Sequence, residues 1–185
     1  YTGSLTAEFT IAKEVLDISN AQISAIADQY YDFAAELTPD VTVKLGSKTL
    51  IKDVDYSVTY TDNVNVGTAT ATVKGINQNK GEVSRTFKIL PVDVTGADIT
   101  LSQDAYEYTG SAVRAKIVSV TVTRNGVKRQ VTDLTPFEIT YADNTNVGTA
   151  TVKIQAIENQ GFVGTAQKNF KISAALIDSA EVTVG

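Results

Sequence analysis

The sequence predicts an all-β protein built as two tandem β-sandwiches, mostly antiparallel. Three observations lead there: a long internal repeat, two-residue alternation of apolar and polar side chains, and turn signals at short intervals. The repeat is the most direct. Tyr56-Ser57-Val58-Thr59-Tyr60-Thr61-Asp62-Asn63-Val64-Asn65-Val66-Gly67-Thr68-Ala69-Thr70 returns as Phe137-Glu138-Ile139-Thr140-Tyr141-Ala142-Asp143-Asn144-Thr145-Asn146-Val147-Gly148-Thr149-Ala150-Thr151. Each copy runs on to the same ending, Phe87-Lys88-Ile89 and Phe170-Lys171-Ile172, and a third such ending, Phe9-Thr10-Ile11, opens the chain. Self-similarity at a period of roughly 80 residues marks an array of small domains.

The closing Phe-x-Ile sets the frame. Residues 1–11 align without a gap to 79–89 and to 162–172, with Gly3, Gly81 and Gly164 in register. Residues 1–11 are therefore expected to be the final strand of a preceding repeat, 12–90 the first repeat and 91–173 the second. The match of Asp178-Ser179-Ala180-Glu181-Val182 to Gly96-Ala97-Asp98-Ile99 makes 174–185 the expected start of a following repeat. The two copies differ where loops belong: four extra residues around Arg124-Asn125-Gly126-Val127, and a two-residue difference between Gly75 and Gly81. Short linkers are expected around 11–17 and 89–94, the second stiffened by Pro91, which also removes a backbone donor.

The strands follow in chain order. Val41, Val43 and Leu45 share one face, with Thr42 and Lys44 on the other. Tyr56, Val58 and Tyr60 repeat the pattern, as do Phe137, Ile139 and Tyr141. Ala69, Ala71 and Val73 take inward places, and so do Ala150, Val152 and Ile154; the last strand of each copy turns Phe and Ile inward and Lys outward. Threonine and valine suit half-buried strands. Turns are marked at Leu45-Gly46-Ser47, Asn65-Val66-Gly67, Asn146-Val147-Gly148 and Arg124-Asn125-Gly126, the last a strong two-residue hairpin signal. Six or seven strands per repeat are expected.

One tract conflicts with its neighbours. Ile26, Tyr30, Phe33, Ala34 and Leu37 fall at helical spacing. The second copy, aligned from Tyr31 to Tyr108, reads Tyr-Thr-Gly-Ser-Ala-Val-Arg-Ala, with a glycine opposite Phe33. Homologous domains seldom exchange strand for helix, so residues 26–37 are expected to be extended.

Composition narrows the function. Cysteine, histidine, methionine and tryptophan are all absent. The commonest general base, the thiol nucleophile and the soft metal ligands are thus missing, and no carboxylate pair recurs in both copies outside the turn tract. Neither catalysis nor a cofactor is expected. Net charge is −5, with no run of Lys or Arg, which argues against a nucleic-acid partner or an anionic membrane.

Three candidate sites remain. Asp62-Asn63-x-Asn65 and Asp143-Asn144-x-Asn146 could offer oxygen ligands to calcium, but a single carboxylate beside two amides fits a turn better, so no metal is expected. Tyr31 and Tyr108 are register-matched and are expected to cap the cores. Tyr30 and Tyr106 are not matched, which makes them candidates for contacts specific to one domain; exposed rings can pack on the apolar faces of sugars. Lys88 and Lys171 match in register but alternate outward, so a Lys–Asn isopeptide crosslink is not expected.

The pattern Tyr-x-Val-x-Tyr, then Asn-x-Asn-x-Gly-Thr-Ala-Thr, then Gly and Phe-x-Ile resembles the tandem immunoglobulin-like repeats of bacterial surface proteins and adhesins of Gram-positive bacteria. It is carried by Tyr56, Val58, Tyr60, Asn63, Asn65, Gly67, Thr68, Ala69, Thr70, Gly81, Phe87 and Ile89 and their partners in the second copy. The Tyr-Thr-Gly at 108–110 has become Tyr31-Asp32-Phe33 in the first copy. The resemblance implies immunoglobulin-like sandwiches in an extracellular, cell-wall-associated stalk that projects an adhesive or catalytic domain. Its implied partners are adjacent repeats of the same chain, with the protein a monomer that inserts in no membrane. The alternative is a module that binds polysaccharide or a host glycoprotein through Tyr30 and Tyr106.

Overall fold

The computed structural model describes residues 6–8, 14–124 and 126–175. The expectations for Phe9 and Ile11, for Asn125 and for a following repeat at 176–185 lie outside the described residues. Those described form only strands and one 3-10 turn, Ile18–Asn20, capped by the Asp17 side chain.

Alternation sets the strands and the glycine and asparagine turns end them. In the first repeat they are β1 (Gln22–Ile23), β2 (Gln29–Tyr30), β3 (Val43–Leu45), β4 (Lys48–Thr49), β5 (Tyr56–Thr61), β6 (Gly67–Gly75) and β7 (Glu82–Leu90). In the second they are β8 (Val92–Asp93), β9 (Asp98–Leu101), β10 (Ala105–Glu107), β11 (Ile117–Arg124), β12 (Val127–Val131), β13 (Phe137–Ala142), β14 (Gly148–Ala156), β15 (Phe162–Val163) and β16 (Thr165–Ser173). Only Pro91 separates β7 from β8, so the segment expected as a linker over 89–94 is mostly paired strand.

The chain divides into two compact units. One holds the described residues through Gln29 together with Ala35–Ile89; the other holds Tyr30–Ala34 together with the described residues from Leu90 onward. Repeat alignment places Tyr30–Ala34 in the first repeat, whereas contacts place it in the second unit.

Sheet order is β1-β3-β4 and β2-β7-β6-β5, then β12-β11-β9, β10-β16-β14-β13 and the pair β15-β8. Most pairings are antiparallel. The shared tract folds identically in both copies: Tyr56 faces Gly75 and Thr61 faces Thr70, as Phe137 faces Ala156 and Ala142 faces Thr151. Gly67 faces Ile89 as Gly148 faces Ile172. The pairings of β8 with β15 and of β10 with β16 are parallel, and Asp17 makes a parallel bridge to Lys80 at the place equivalent to β8–β15.

Each unit has its own apolar cluster. Leu16, Ile18, Ala21, Ile23, Val43, Leu50, Tyr56 and Val73 form that of the first. In the second, Val94, Ile99, Val120, Val152, Ile154 and Ile172 are among the most deeply buried. Of these, Val43, Tyr56, Val73, Val152, Ile154 and Ile172 are residues that alternation turned inward, and Lys88 and Lys171 are exposed as expected. The tract with helical spacing is extended: it supplies β2 and then a tight turn in which Phe33 (φ 53°) and Ala34 (φ 65°) take left-handed backbone. Gly110, opposite Phe33 in the alignment, is left-handed too (φ 79°). The turn survives although the glycine that eases it does not.

Candidate functional site

The Asp-Asn-x-Asn tracts follow β5 and β13, and their first asparagines do more than close a local turn. Asn63 Nδ2 donates to Leu37 O at 3.1 Å, and Leu37 N–H donates back to Asn63 O at 2.9 Å. Asn144 repeats this on Val113, at 2.8 and 2.7 Å. Just upstream, the Tyr60 hydroxyl donates to Pro39 O and the Tyr141 hydroxyl to Ala115 O. Burial raises the pKa of both phenols above the ordinary tyrosine value. In each copy, then, one tyrosine and one asparagine clamp an irregular stretch onto the sheet. The amide nitrogens aim at backbone carbonyls, as a clamp requires.

The tyrosines separate into different environments. Tyr106, on β10, packs its ring edge-on against Phe170 at 5.5 Å, while its hydroxyl accepts from Lys116 N–H at 3.3 Å and shares a hydrogen bond with Ser102. Tyr31 and Tyr108 are true counterparts: Tyr31 N–H donates to Leu90 O at 2.9 Å, and Tyr108 N–H to Ser173 O at 2.8 Å. Neither caps the core of its own repeat as expected, for Tyr31 packs on the apolar cluster of the second unit. Tyr31 packs edge-on to Phe162 at 5.6 Å and against Phe33 at 6.3 Å. Tyr108 is 39% exposed, contrary to its expected place in a core. Register fixed the backbone of the pair, but burial depends on what lies opposite.

Tyr31 fits a socket made for a ring. Gly161 (φ +86°) stands directly behind it, and a Cβ there would lie 2.3 Å from a ring carbon of Tyr31. Phe162, 3% exposed, also contacts Phe33 and Phe137. At the aligned position the first copy carries Asn79, which is buried and hydrogen-bonded to Leu16 N–H and Asp55 O, so that unit has no aromatic socket there.

Beside the socket lies the candidate site, entirely within the second unit. Arg124 stacks its guanidinium over the Tyr30 ring at 4.8 Å, and Arg129 stacks over Phe33 at 4.8 Å. The Arg129 guanidinium also forms an ion pair with Asp32, 2.7 Å from Oδ1. Phe33, Val92, Val122, Arg124, Val127 and Arg129 line a cleft of about 250 Å³. Tyr30, one of the two sequence candidates, does not line this cleft but stacks under Arg124, which does; Tyr106 has a separate set of partners.

Arg124, Arg129, Asp32 and Phe33 were not singled out from sequence, yet a signal existed. Three of them, Arg124, Asp32 and Phe33, lie where the copies diverge. Arg124 and Val127 come with the four-residue insertion that lengthens the β11–β12 hairpin relative to β3–β4, and Asp32 and Phe33 replace Thr-Gly. Among the described residues no group of three or more acidic side chains is placed to hold a metal ion. No family model matches the chain, and no curated protein matches it.

Proposed function

We propose that the chain is a non-catalytic spacer: two immunoglobulin-like β-sandwich repeats of an extracellular, cell-wall-associated bacterial protein, monomeric and flanked by further repeats. The observation that carries this reading is the parallel pairing of early strands with late ones. Val92 N–H donates to Gly161 O at 2.9 Å, Val94 N–H to Val163 O at 2.9 Å and Gly96 N–H to Thr165 O at 3.2 Å. Further along, β10 lies parallel to the closing strand β16. Tension applied at the two ends of the unit pulls such partners in opposite directions along their own axes. Their hydrogen bonds are then loaded in shear and must fail together, whereas a hairpin peeled from its end loses one bond at a time. The first unit supports the same reading through its Asp17–Lys80 bridge, with Ile18 N–H donating to Lys80 O and Lys80 N–H to Leu16 O, both at 2.9 Å. Pulling the whole chain end to end is expected to give discrete force peaks, one per unit. Smooth extension without peaks overturns the reading.

The cleft beside Tyr30 favours a second reading, a module that binds polysaccharide or host glycoprotein. Its apolar lining and two guanidinium groups suit a sugar ring bearing an acidic substituent. Retention of the chain by a panel of neutral and acidic glycans tests it. Retention lost on Tyr30→Ala moves the protein to the binding class, and no retention by any glycan removes that reading. Tyr106→Ala is less informative, because the ring it removes packs against Phe170.

A further inference from the structure

The geometry points to Tyr108-Thr109-Gly110 as a docking strap for one more repeat, whose own Gly-Phe socket would receive the Tyr108 ring as the socket at Gly161 and Phe162 receives Tyr31. The inference rests on the repeat-array reading and adds the residues through which one repeat grips the next. Three correspondences carry it. Tyr31 and Tyr108 donate their backbone N–H groups to equivalent carbonyls, Leu90 and Ser173, at 2.9 and 2.8 Å. Two residues on, Phe33 and Gly110 share left-handed backbone, φ 53° and 79°, so both straps turn at the same point. Yet Tyr31 is held against Phe162 and over Gly161, whereas Tyr108 has no ring contact among the described residues and is 39% exposed.

The occupant follows from position. Tyr108 is bonded to Ser173, the last residue of β16, just as Tyr31 is bonded to Leu90, the last residue of β7. Immediately after Leu90 the chain enters Pro91 and Val92, the start of the repeat whose socket holds Tyr31. A repeat leaving Ser173 in the same way would present its socket to Tyr108. The socket is selective: Asn79 fills the aligned place in the first repeat with a buried, hydrogen-bonded amide. The partner must therefore carry a glycine and an aromatic residue there. Gly110 and Thr109, with neither the phenyl ring of Phe33 nor the carboxylate of Asp32, make a plainer strap, which leaves the tyrosine ring as its main apolar contact.

The test replaces the residues after Ser173 with a second copy of residues 91–173 and follows hydrogen exchange at amides 108–111. Extension is expected to slow exchange there at least tenfold. Tyr108→Ala, or Phe→Asn at the socket of the added copy, should abolish the gain while leaving exchange in β13 and β14 unchanged. A folded extended chain with no added protection overturns the inference. If the added copy does not fold, a second experiment decides: a peptide of residues 105–113 titrated onto the Tyr31→Ala chain, whose socket is vacant. Saturable shifts of the Gly161 and Phe162 amides, absent with a Tyr108→Ala peptide, support the strap; no shifts overturn it. Neither arm depends on the force response, so the strap can fail while the spacer reading stands.

Discussion

At the scale of single residues, the two copies reuse the same small devices with different side chains. Asp17 accepts from Ser19 N–H at 3.1 Å and Asp93 from Thr95 N–H at 2.8 Å, each turning the chain just past the parallel bridge. Behind them stand Gly81 (φ +86°) and Gly164 (φ +91°), where a Cβ would approach Ser19 Oγ or Thr95 Oγ1 to 2.3 Å. Here the invariance of glycine has a steric cause. The hydroxyl and the backbone N–H of Thr95 also hold the Asp93 carboxyl below the ordinary aspartate pKa, and those of Ser19 do the same for Asp17. A lowered folded-state pKa means stability that is present above the unfolded value and lost as pH falls through the folded one. Urea midpoints measured from about pH 5 down to about pH 2 should therefore fall, and Asp93→Asn should flatten that fall while keeping an oxygen acceptor for Thr95. A slope unchanged by the substitution would show that other carboxylates dominate.

Among the elements, the β11–β12 hairpin and the Tyr30–Ala34 strap show how divergence between copies acquires a role. The insertion lengthens the hairpin, and its Arg124 reaches the Tyr30 ring while Arg129 reaches both Phe33 and Asp32. Phe33 accepts a backbone conformation that suits glycine, a cost set against its contacts with Phe162 and Arg129. The Asp32–Arg129 pair is partly open to water, its side chains 30% and 45% exposed, so its own contribution is small. A double-mutant cycle with Asp32→Ala and Arg129→Ala should give a coupling of about 0.2–1 kcal/mol. Arg129→Ala alone should cost more than Asp32→Ala alone, because it also removes the stacking on Phe33, worth about 0.5–1 kcal/mol at such a site. Equal costs would mean that the stacking contributes nothing. These contacts could not be read in advance: the alignment flagged each segment as different, but not that the two differences meet.

For the whole molecule, strand direction matters more than strand number. The antiparallel hairpins of each copy are local and could peel open singly, while the parallel pairs tie the beginning of a unit to its end. Val92→Pro removes the N–H that bonds Gly161 O and leaves the antiparallel ladders intact. It should lower the unfolding force of the second unit and spare the peak of the first. An unchanged second peak would locate the mechanical resistance elsewhere, in β10–β16 or in the sheet around β14.

The strands at 41–45, 56–60, 69–73 and 87–89 and their counterparts in the second copy, with their inward faces, were legible from residues near one another in the chain. Alternation and turn chemistry are local, and two copies of one tract checked each other; the same check overruled a helical spacing at 26–37. The register match of Tyr31 with Tyr108 was legible for the same reason. Which of the two would be covered was not, since that turned on Gly161 and Phe162, more than a hundred residues from Tyr31. The long-range anchoring of Asn63 and Asn144, the parallel closures and the meeting of Arg124 with Tyr30 were likewise set by folding alone. They arise between segments distant in sequence, and a periodic pattern records the face a side chain takes without recording what it will meet there.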